Sequence, residues 1–386
     1  MFFSISHNKD LRLPNHHELT GALCFSCDDG WHDFKIDNHR FFFKGYCDEL
    51  STVDLMAEFL KDPTPRYHGN FCMIISNANG VTITHDLYRS FNLWMDKELV
   101  LATNFDNIEF KAQESVYADE YLTIENGFRT TKFDVLGSLH TKQRTFTEAV
   151  DAIEELLLKK VEYLRDKKIK VFVTGGVDTM LLYSLLRNQN IDHEFIDYEH
   201  FEYDKFTYGN IKYIKQRFWG YNQMHHWVDD TLFMTGSCGD EYFLRGPALI
   251  AQWAAWHGRS VLEEISPNDY HYEYFLKNKN VELFVKDISS KIQKEYPTRE
   301  ELYKQILNVN VNDHQWWHLG NTLTWTPFKD LEITKIILSM APNDIFRQML
   351  SGDINFELIR RFDKTLLPYI SDHKNITNLS KLAEIC

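Results

Sequence analysis

The segment from Ile169 to Leu182 constrains the fold more than any other part of the chain. A β-branched apolar run ends in Gly175 and Gly176, after which come an acid, a hydroxyl and a second apolar stretch. This order is typical of a buried strand, a tight turn and the start of a helix. Glycines let the backbone approach an anion, and the first N–H groups of a helix favour negative charge. The segment therefore predicts a phosphate-binding βα turn, with an ordinary βα turn as the alternative.

Asp178 adds a second constraint to this turn. A carboxylate beside a phosphate is unfavourable unless a divalent cation lies between them, so its position indicates a nucleotide bound with Mg²⁺. The spacing matches neither G-x-x-x-x-G-K-[ST] nor G-x-G-x-x-G, which excludes the two commonest phosphate loops.

Composition places the chain among globular proteins with two or three domains. Of its 386 residues, 44% are hydrophobic and 15% aromatic, enough for sizeable cores. The formal net charge of −14, without a Lys/Arg-rich block, argues against a nucleic-acid or anionic membrane surface. No apolar run has the length of a transmembrane helix and the first residues do not resemble a signal peptide, so we expect a cytoplasmic protein without membrane partners.

The six cysteines are scattered, a distribution that favours reduced thiols over a disulfide framework. Cys24 and Cys27 form a lone C-x-x-C pair without a second pair at zinc spacing. We expect core or loop thiols here, with a structural zinc or a redox role as the alternative.

In the first 140 residues, the pattern of apolar residues is typical of β-strands. Apolar runs at 71–76 and 81–85 flank a turn at 77–80, which predicts a β-hairpin. One helix is expected at 51–61, where apolar residues recur on one face. This half of the chain is predicted to be a β-rich sandwich.

The pattern changes to helical spacing after Thr145, which opens a capping box with Glu148. From there to about residue 245 the chain alternates helices with strands, and the remainder is mostly helical. The strands are predicted at 170–173, 194–197 and 231–234. The later helices are predicted at 247–257, 279–292, 298–308, 331–341 and 353–366.

A second glycine-containing loop follows the third of these strands, from Thr235 to Glu241. The first loop resembles the S-G-G-x-D-S pyrophosphate loop of ATP pyrophosphatases, and the second resembles S-G-E-G-[AS]-D-E. Because it has both loops in this order, the chain resembles the asparagine synthetase and β-lactam synthetase family. Residues 327–330 and 367–370 are similar to the family's P-F-L-D and L-P-x-x-I segments, the latter before a lysine, here Lys374.

The N-terminal half is similar to the family's class II glutamine amidotransferase domain at 69–71, 85–86, 91–94 and 101–104. The resemblance implies an α/β + α+β two-domain chain. Residues 1–140 would form an Ntn-hydrolase-like sandwich, and 141–386 a parallel-sheet, adenine nucleotide α-hydrolase-like (PP-loop) domain with a helical C-terminal part.

The resemblance also implies ATP and Mg²⁺ as cofactors and a ligase that adenylates a carboxylate and joins it to ammonia or an amine. Asp178 and Asp240 would hold Mg²⁺, while Lys374 and Glu241 would be the catalytic residues. The expected nucleotide-binding residues are Val173, Thr174, Gly175, Gly176, Val177, Asp178, Thr179, Thr235 and Gly236. For Asp240 the alternative is a helix N-cap, for Glu241 a helix-start carboxylate, and for Lys374 a solvated surface lysine. The expected partners are small molecules, and a homodimer is compatible with them.

Departures from the family pattern define the alternatives. Phe2 stands where a working glutaminase has its cysteine, so we expect no glutaminase activity. Ser237 and Cys238 replace a glutamate and a glycine, and Leu323 replaces a polar residue. A catalytically degenerate member that binds a nucleotide or a partner is therefore one alternative, and a PP-loop enzyme that modifies a nucleobase or tRNA is another.

Overall fold

The chain divides into two compact units. The first contains Met1–Gly137 and two later stretches that end at Phe233 and Trp325, and the second contains the remainder. The computed structural model describes residues 3–9, 13–89, 93–96, 100–102, 114–115, 117, 119–125, 127–171, 176–195, 204–208, 211–215, 231–234, 236, 238–257, 294–313 and 324–370.

Two antiparallel sheets of six strands each build the first unit. The strands are β1 Phe3–Ser6, β2 Asn15–Glu18, β3 Cys24–Cys27, β4 His32–Ile36, β5 His39–Cys47, β6 Gly69–Asn77, β7 Gly80–His85, β8 Trp94–Asp96, β9 Val100–Ala102, β10 Glu114–Ser115, β11 Glu120–Ile124 and β12 Phe128–Lys132. One sheet has the order β10-β8-β9-β1-β3-β2 and the other β12-β11-β7-β6-β5-β4.

Three consecutive phenylalanines in β5 show how the layers pack. Because side chains alternate across a strand, Phe42 joins the core between the sheets. Phe41 and Phe43 point the other way, into a second core beneath helix α1, Thr52–Lys61. Burying each ring contributes about 1.5–3 kcal/mol. The unit is therefore a two-sheet sandwich with a helix on its outer face.

The hairpin predicted from the sequence is confirmed, with β6 and β7 joined by Ala78 and Asn79. The Oδ1 atom of Asn77 accepts hydrogen bonds from the backbone of Asn79 at 2.8 Å and of Gly80 at 3.2 Å. This Asx-type turn fixes the register of the two strands.

The second unit begins with helix α2, Phe146–Val161, whose N-terminus is closed by the predicted capping box of Thr145 and Glu148. Strand β13, Lys168–Val171, follows, then helix α3, Val177–Asn188, and strand β14, Glu194–Phe195. Strands β13 and β14 pair in parallel, so α3 is the crossover of a βαβ unit. Strands β15, Asp204–Tyr208, and β16, Ile211–Lys215, form an antiparallel pair.

Helices make up most of what the structure describes after residue 238. They are α4 Gly239–Tyr242, α5 Pro247–Trp256, α6 Arg299–Asp313, α7 Leu331–Leu338, α8 Pro342–Ser351 and α9 Asp353–Asp363, and the remaining strands are β17 Thr231–Met234 and β18 Thr324–Trp325. The prediction of one helix over 331–341 is wrong at its end, because Pro342 starts a new helix at its N1 position. The helix predicted at 279–292 lies outside the described residues.

The coarse expectation is therefore confirmed: a β-rich N-terminal region precedes a C-terminal part that is mostly helical. The cysteines of the C-x-x-C pair sit three positions apart on β3, so their side chains point to opposite faces of the strand. The five cysteines of the described chain are all free thiols. Among the described residues, no helix combines the length and apolar composition needed to cross a bilayer.

Candidate functional site

The first predicted loop leads into the N-terminus of α3. Gly176 is the N-cap residue, with extended backbone angles, and no side chain caps the helix there. Asp178 lies in the first turn, where the helix dipole favours a carboxylate. The hydroxyl of Thr179 donates to the carbonyl oxygen of Gly176 at 3.0 Å, and Val177 is fully buried. Both side chains thus hold the turn in place.

The second loop leads into the short helix α4. Cys238 is its N-cap residue and has a left-handed backbone, with φ of 64°. The position that holds a glycine in the resembled family therefore has a conformation that suits glycine. Asp240 and Glu241 lie in the first turn, so the alternative interpretation of Asp240 as the N-cap is wrong.

The two loops pack directly against each other at two glycines. A Cβ atom on Gly236 would lie 2.5 Å from the backbone nitrogen of Thr179, and one on Gly239 would overlap the carboxyl carbon of Asp178. Only residues without a side chain fit at these positions. The contact brings the beginnings of α3 and α4 together, and with them Asp178 and Asp240.

Arg245 lies between the two acids. Its Nη1 atom is 2.8 Å from Oδ1 of Asp178 and 3.3 Å from Oδ1 of Asp240. The Arg245 and Asp178 side chains are 12% and 17% exposed, whereas that of Asp240 is 57% exposed. The backbone nitrogen of Arg245 also donates to the carbonyl oxygen of Asp240 at 2.6 Å. One guanidinium therefore balances part of the charge of both carboxylates.

Helices α8 and α9 support this ion-pair group from behind. The side-chain amide of Asn355 donates to Oδ1 of Asp178 at 3.3 Å. Gln348 donates to Oδ1 of Asn355 at 2.9 Å and to the carbonyl oxygen of Phe243 at 2.8 Å, and it accepts from the nitrogen of Ile354 at 2.8 Å. Both amide side chains are fully buried, so the network fixes the position of Asp178.

Sequence reasoning missed Arg245, Gln348 and Asn355. Arg245 had a signal, because it is a charged residue in an otherwise apolar stretch just after the second loop. The two amides had none, since Gln and Asn are common on exposed helix faces. Their role depends on tertiary packing.

The structure brings together the predicted site residues that it describes around the start of α3 and α4. These are Gly176, Val177, Asp178, Thr179, Gly236, Asp240 and Glu241. The others, Val173, Thr174, Gly175, Thr235 and Lys374, lie outside the described residues.

The donor chemistry fits a hard divalent cation in one respect. Asp178 and Asp240 offer carboxylate oxygens, which Mg²⁺ prefers, and it commonly takes only one or two of them when substrate phosphates supply further ligands. Within the described part of the chain, no group of three or more His, Cys, Asp or Glu side chains forms a complete metal site. A divalent cation held by these two carboxylates would therefore need further ligands, and Arg245 would compete with it for the acids.

No known protein family and no curated protein sequence matches the chain. Among solved structures, the chain is similar to one described as the allosteric regulatory enzyme of purine biosynthesis. The identity is 11% and the TM-score 0.23, over 55% of this chain and 60% of that one. The glutamine phosphoribosylpyrophosphate amidotransferase from B. subtilis, complexed with ADP and GMP, shows 11% identity and a TM-score of 0.23 over 62% and 71% of the two chains. The chain thus spans less than two thirds of the first structure, and both similarities are distant.

Proposed function

We propose that the protein is an ATP-dependent ligase that adenylates a carboxylate, releases pyrophosphate and then forms an amide, releasing AMP. The observation that carries the proposal is the convergence of Asp178 and Asp240 on one guanidinium nitrogen, at 2.8 and 3.3 Å. Two loops that resemble a nucleotide-binding pair in the sequence are neighbours in space. Strands β13 and β17, which precede the two loops, are neighbours in one sheet, so both loops lie at the same edge of it.

The proposed reaction has two balanced steps. A substrate carboxylate oxygen attacks the α-phosphorus of ATP, and the bond between that phosphorus and the bridging oxygen to the β-phosphate breaks. Ammonia or an amine then attacks the acyl carbon, the bond to AMP breaks, and the nitrogen loses a proton. Bound Mg²⁺ supplies charge neutralisation on the phosphates. The nitrogen source is proposed to be free ammonia or an amine.

The chain's own residues would act mainly by positioning. The first turn of α3 directs N–H groups and the positive end of the helix dipole toward an anion. Gly236 and Gly239 allow the second loop to approach that turn, and Asn355 holds the carboxylate of Asp178. Positioning and charge stabilisation are the main terms in phosphate chemistry.

The test is product analysis with the full chain, ATP, Mg²⁺, pooled carboxylic acids and pooled amines. We expect AMP and pyrophosphate to form only when an acid is added, and to disappear in Asp178→Asn and Asp240→Asn. Asp54→Asn is the matched control, because Asp54 also lies in the first turn of a helix, exposed in the N-terminal unit. Failure to bind Mg·ATP at all would overturn the proposal.

A second candidate is a nucleotide-binding protein without catalysis. The observation that favours it is the pairing of Arg245 with both acids, since a permanent cation there reduces their capacity to hold a metal. The same experiment separates the two functions: binding of ATP without AMP formation, across the full set of acids and amines, supports the second.

A further inference from the structure

We propose, building on the proposed function, that Arg245 is the resident counter-ion of Asp178 and Asp240 and makes metal binding depend on the nucleotide. In the protein without ligands the guanidinium pairs with both acids and excludes a divalent cation. When phosphates arrive, the guanidinium pairs with them and the acids become available to the metal.

Arg245 would compete with a divalent cation for Asp178 and Asp240 because both competitors are positively charged. The guanidinium cannot lose its proton at physiological pH, so Arg245 is a permanent positive charge. Its Nη1 atom is 2.8 Å from Oδ1 of Asp178, one of the carboxylate oxygens that a metal would compete for. A divalent cation at the two carboxylates would therefore meet both an occupied ligand and a repelling charge.

Arg245 also has the chemistry to pair with phosphate. Its planar fork of donors matches phosphate oxygens in a bidentate arrangement. The stem lies against Gly352, where an added Cβ would be 2.9 Å from Nε and 3.0 Å from Cδ. Gly352 thus leaves room for the side chain of Arg245 beside the two acids.

Asp178 remains in place when the guanidinium changes partner. The amide of Asn355 donates to the same oxygen at 3.3 Å, and Asn355 is itself held by buried Gln348 at 2.9 Å. This support comes from side chains of α8 and α9. The carboxylate is therefore already oriented for a metal that arrives with phosphate.

The coupling is tested by Mn²⁺ binding to the full chain, followed by electron paramagnetic resonance, with and without α,β-methylene-ATP. Without the analogue, we expect Arg245→Met to bind Mn²⁺ at least about tenfold more tightly than the wild type, within the usual range of coupling between ligands. Arg245→Lys, which keeps the charge, should remain close to the wild type. Arg347→Met is the matched control, because Arg347 pairs with Asp353 at 2.6 Å and its side chain is 69% exposed.

With α,β-methylene-ATP present, the wild type should gain about tenfold or more in Mn²⁺ affinity, and Arg245→Met should gain less. Thermal unfolding checks that the variant folds: Arg245→Met should be less stable than the wild type in EDTA and should recover with Mn²⁺. Equal or weaker Mn²⁺ binding by Arg245→Met, or a loss of stability that Mn²⁺ does not restore, would overturn the competition. If neither protein binds Mn²⁺ or the analogue under any condition, the proposed function itself fails.

Discussion

Lys160 and Asp330 form an ion pair in the second unit, with the lysine Nζ atom 2.9 Å from Oδ2 of the aspartate. The two side chains are only 12% and 4% exposed. The other carboxylate oxygen of Asp330 caps helix α7 by accepting from the backbone nitrogen of Glu332 at 2.8 Å. One carboxylate therefore anchors α2, which precedes the first loop, and starts α7.

Replacing this carboxylate should be costly. We expect Asp330→Ala to lower the free energy of unfolding by about 3–5 kcal/mol, because it removes the helix cap and the carboxylate that pairs with the buried ammonium of Lys160. Asp330→Asn should cost less, since the amide oxygen still caps the helix. Urea denaturation measures both. Lys142→Met is the control, because Lys142 also pairs with a carboxylate but is 79% exposed, and it should change stability by less than about 1 kcal/mol.

Gly239→Ala should separate the two loops. The added methyl would overlap the carboxyl carbon of Asp178, so the acid must leave its place beside Arg245. We expect a loss of stability that is partly relieved in the Asp178→Ala background, with a coupling of about 1 kcal/mol in a double-mutant cycle. Strictly additive effects of the two substitutions would contradict the contact.

The buried thiols of the sandwich should resist alkylation. Burial raises the pKa of Cys27 and of Cys47 to about 12, so at pH 8 only about one thiol in ten thousand is a reactive thiolate. We expect iodoacetamide to leave both unlabelled in the native protein and to label both in urea, as read by mass spectrometry. Labelling of either thiol before unfolding would show that the cores open.

The raised pKa of Cys27 and Cys47 also makes the stability of the protein depend on pH. The unfolded thiols lose their protons near the ordinary pKa of 9.0, whereas the folded ones keep them to about 12. The unfolded state therefore binds fewer protons in this interval, and stability should fall as pH rises from about 9 to about 12. Cys27→Ala and Cys47→Ala should each flatten that decline.

Thr145→Ala should destabilise the second unit by about 1 kcal/mol, the usual contribution of a side-chain cap. Thr145 accepts from the backbone nitrogen of Glu148 at 3.2 Å, and its own nitrogen donates to the glutamate side chain at 2.8 Å. Thr147→Ala is the matched control: the residue is exposed inside the same helix, and alanine there should be neutral or slightly stabilising. Thermal unfolding distinguishes the two.

Local signals predicted part of each unit, although strands β1, β3 and β11, which have neighbours on both sides, were missed. Ser51, Thr145 and Asp330 cap helices as their residue types suggest, and the hairpin of β6 and β7 has its turn where the asparagines indicate it. Strands β2 and β4 were missed because each lies at the end of its sheet and contains mostly polar residues. Their conformation comes from pairing with an apolar neighbour and not from their own sequence.

Of the candidate site, the sequence predicted only those residues that lie in or directly after the two glycine-containing loops. Asp178 and Asp240 were found because each comes directly after a glycine-containing turn. Asn355 lies 177 positions from Asp178 in the sequence, so only the packing of α9 reveals their hydrogen bond. Arg245 stands out in the sequence as a charged residue in an apolar stretch, but a motif identifies the acids and not the group that neutralises them.

Strand β5 belongs to both hydrophobic clusters of the first unit, with Phe42 in one and Phe41 and Phe43 in the other. Neither cluster can form without this strand, so the sandwich and its covering helix cannot melt independently. Amide hydrogen exchange should therefore report one cooperative opening for β5, β6 and α1. In evolutionary terms, we expect this stretch to tolerate few substitutions, because each change there disturbs one core directly and the other through the shared backbone.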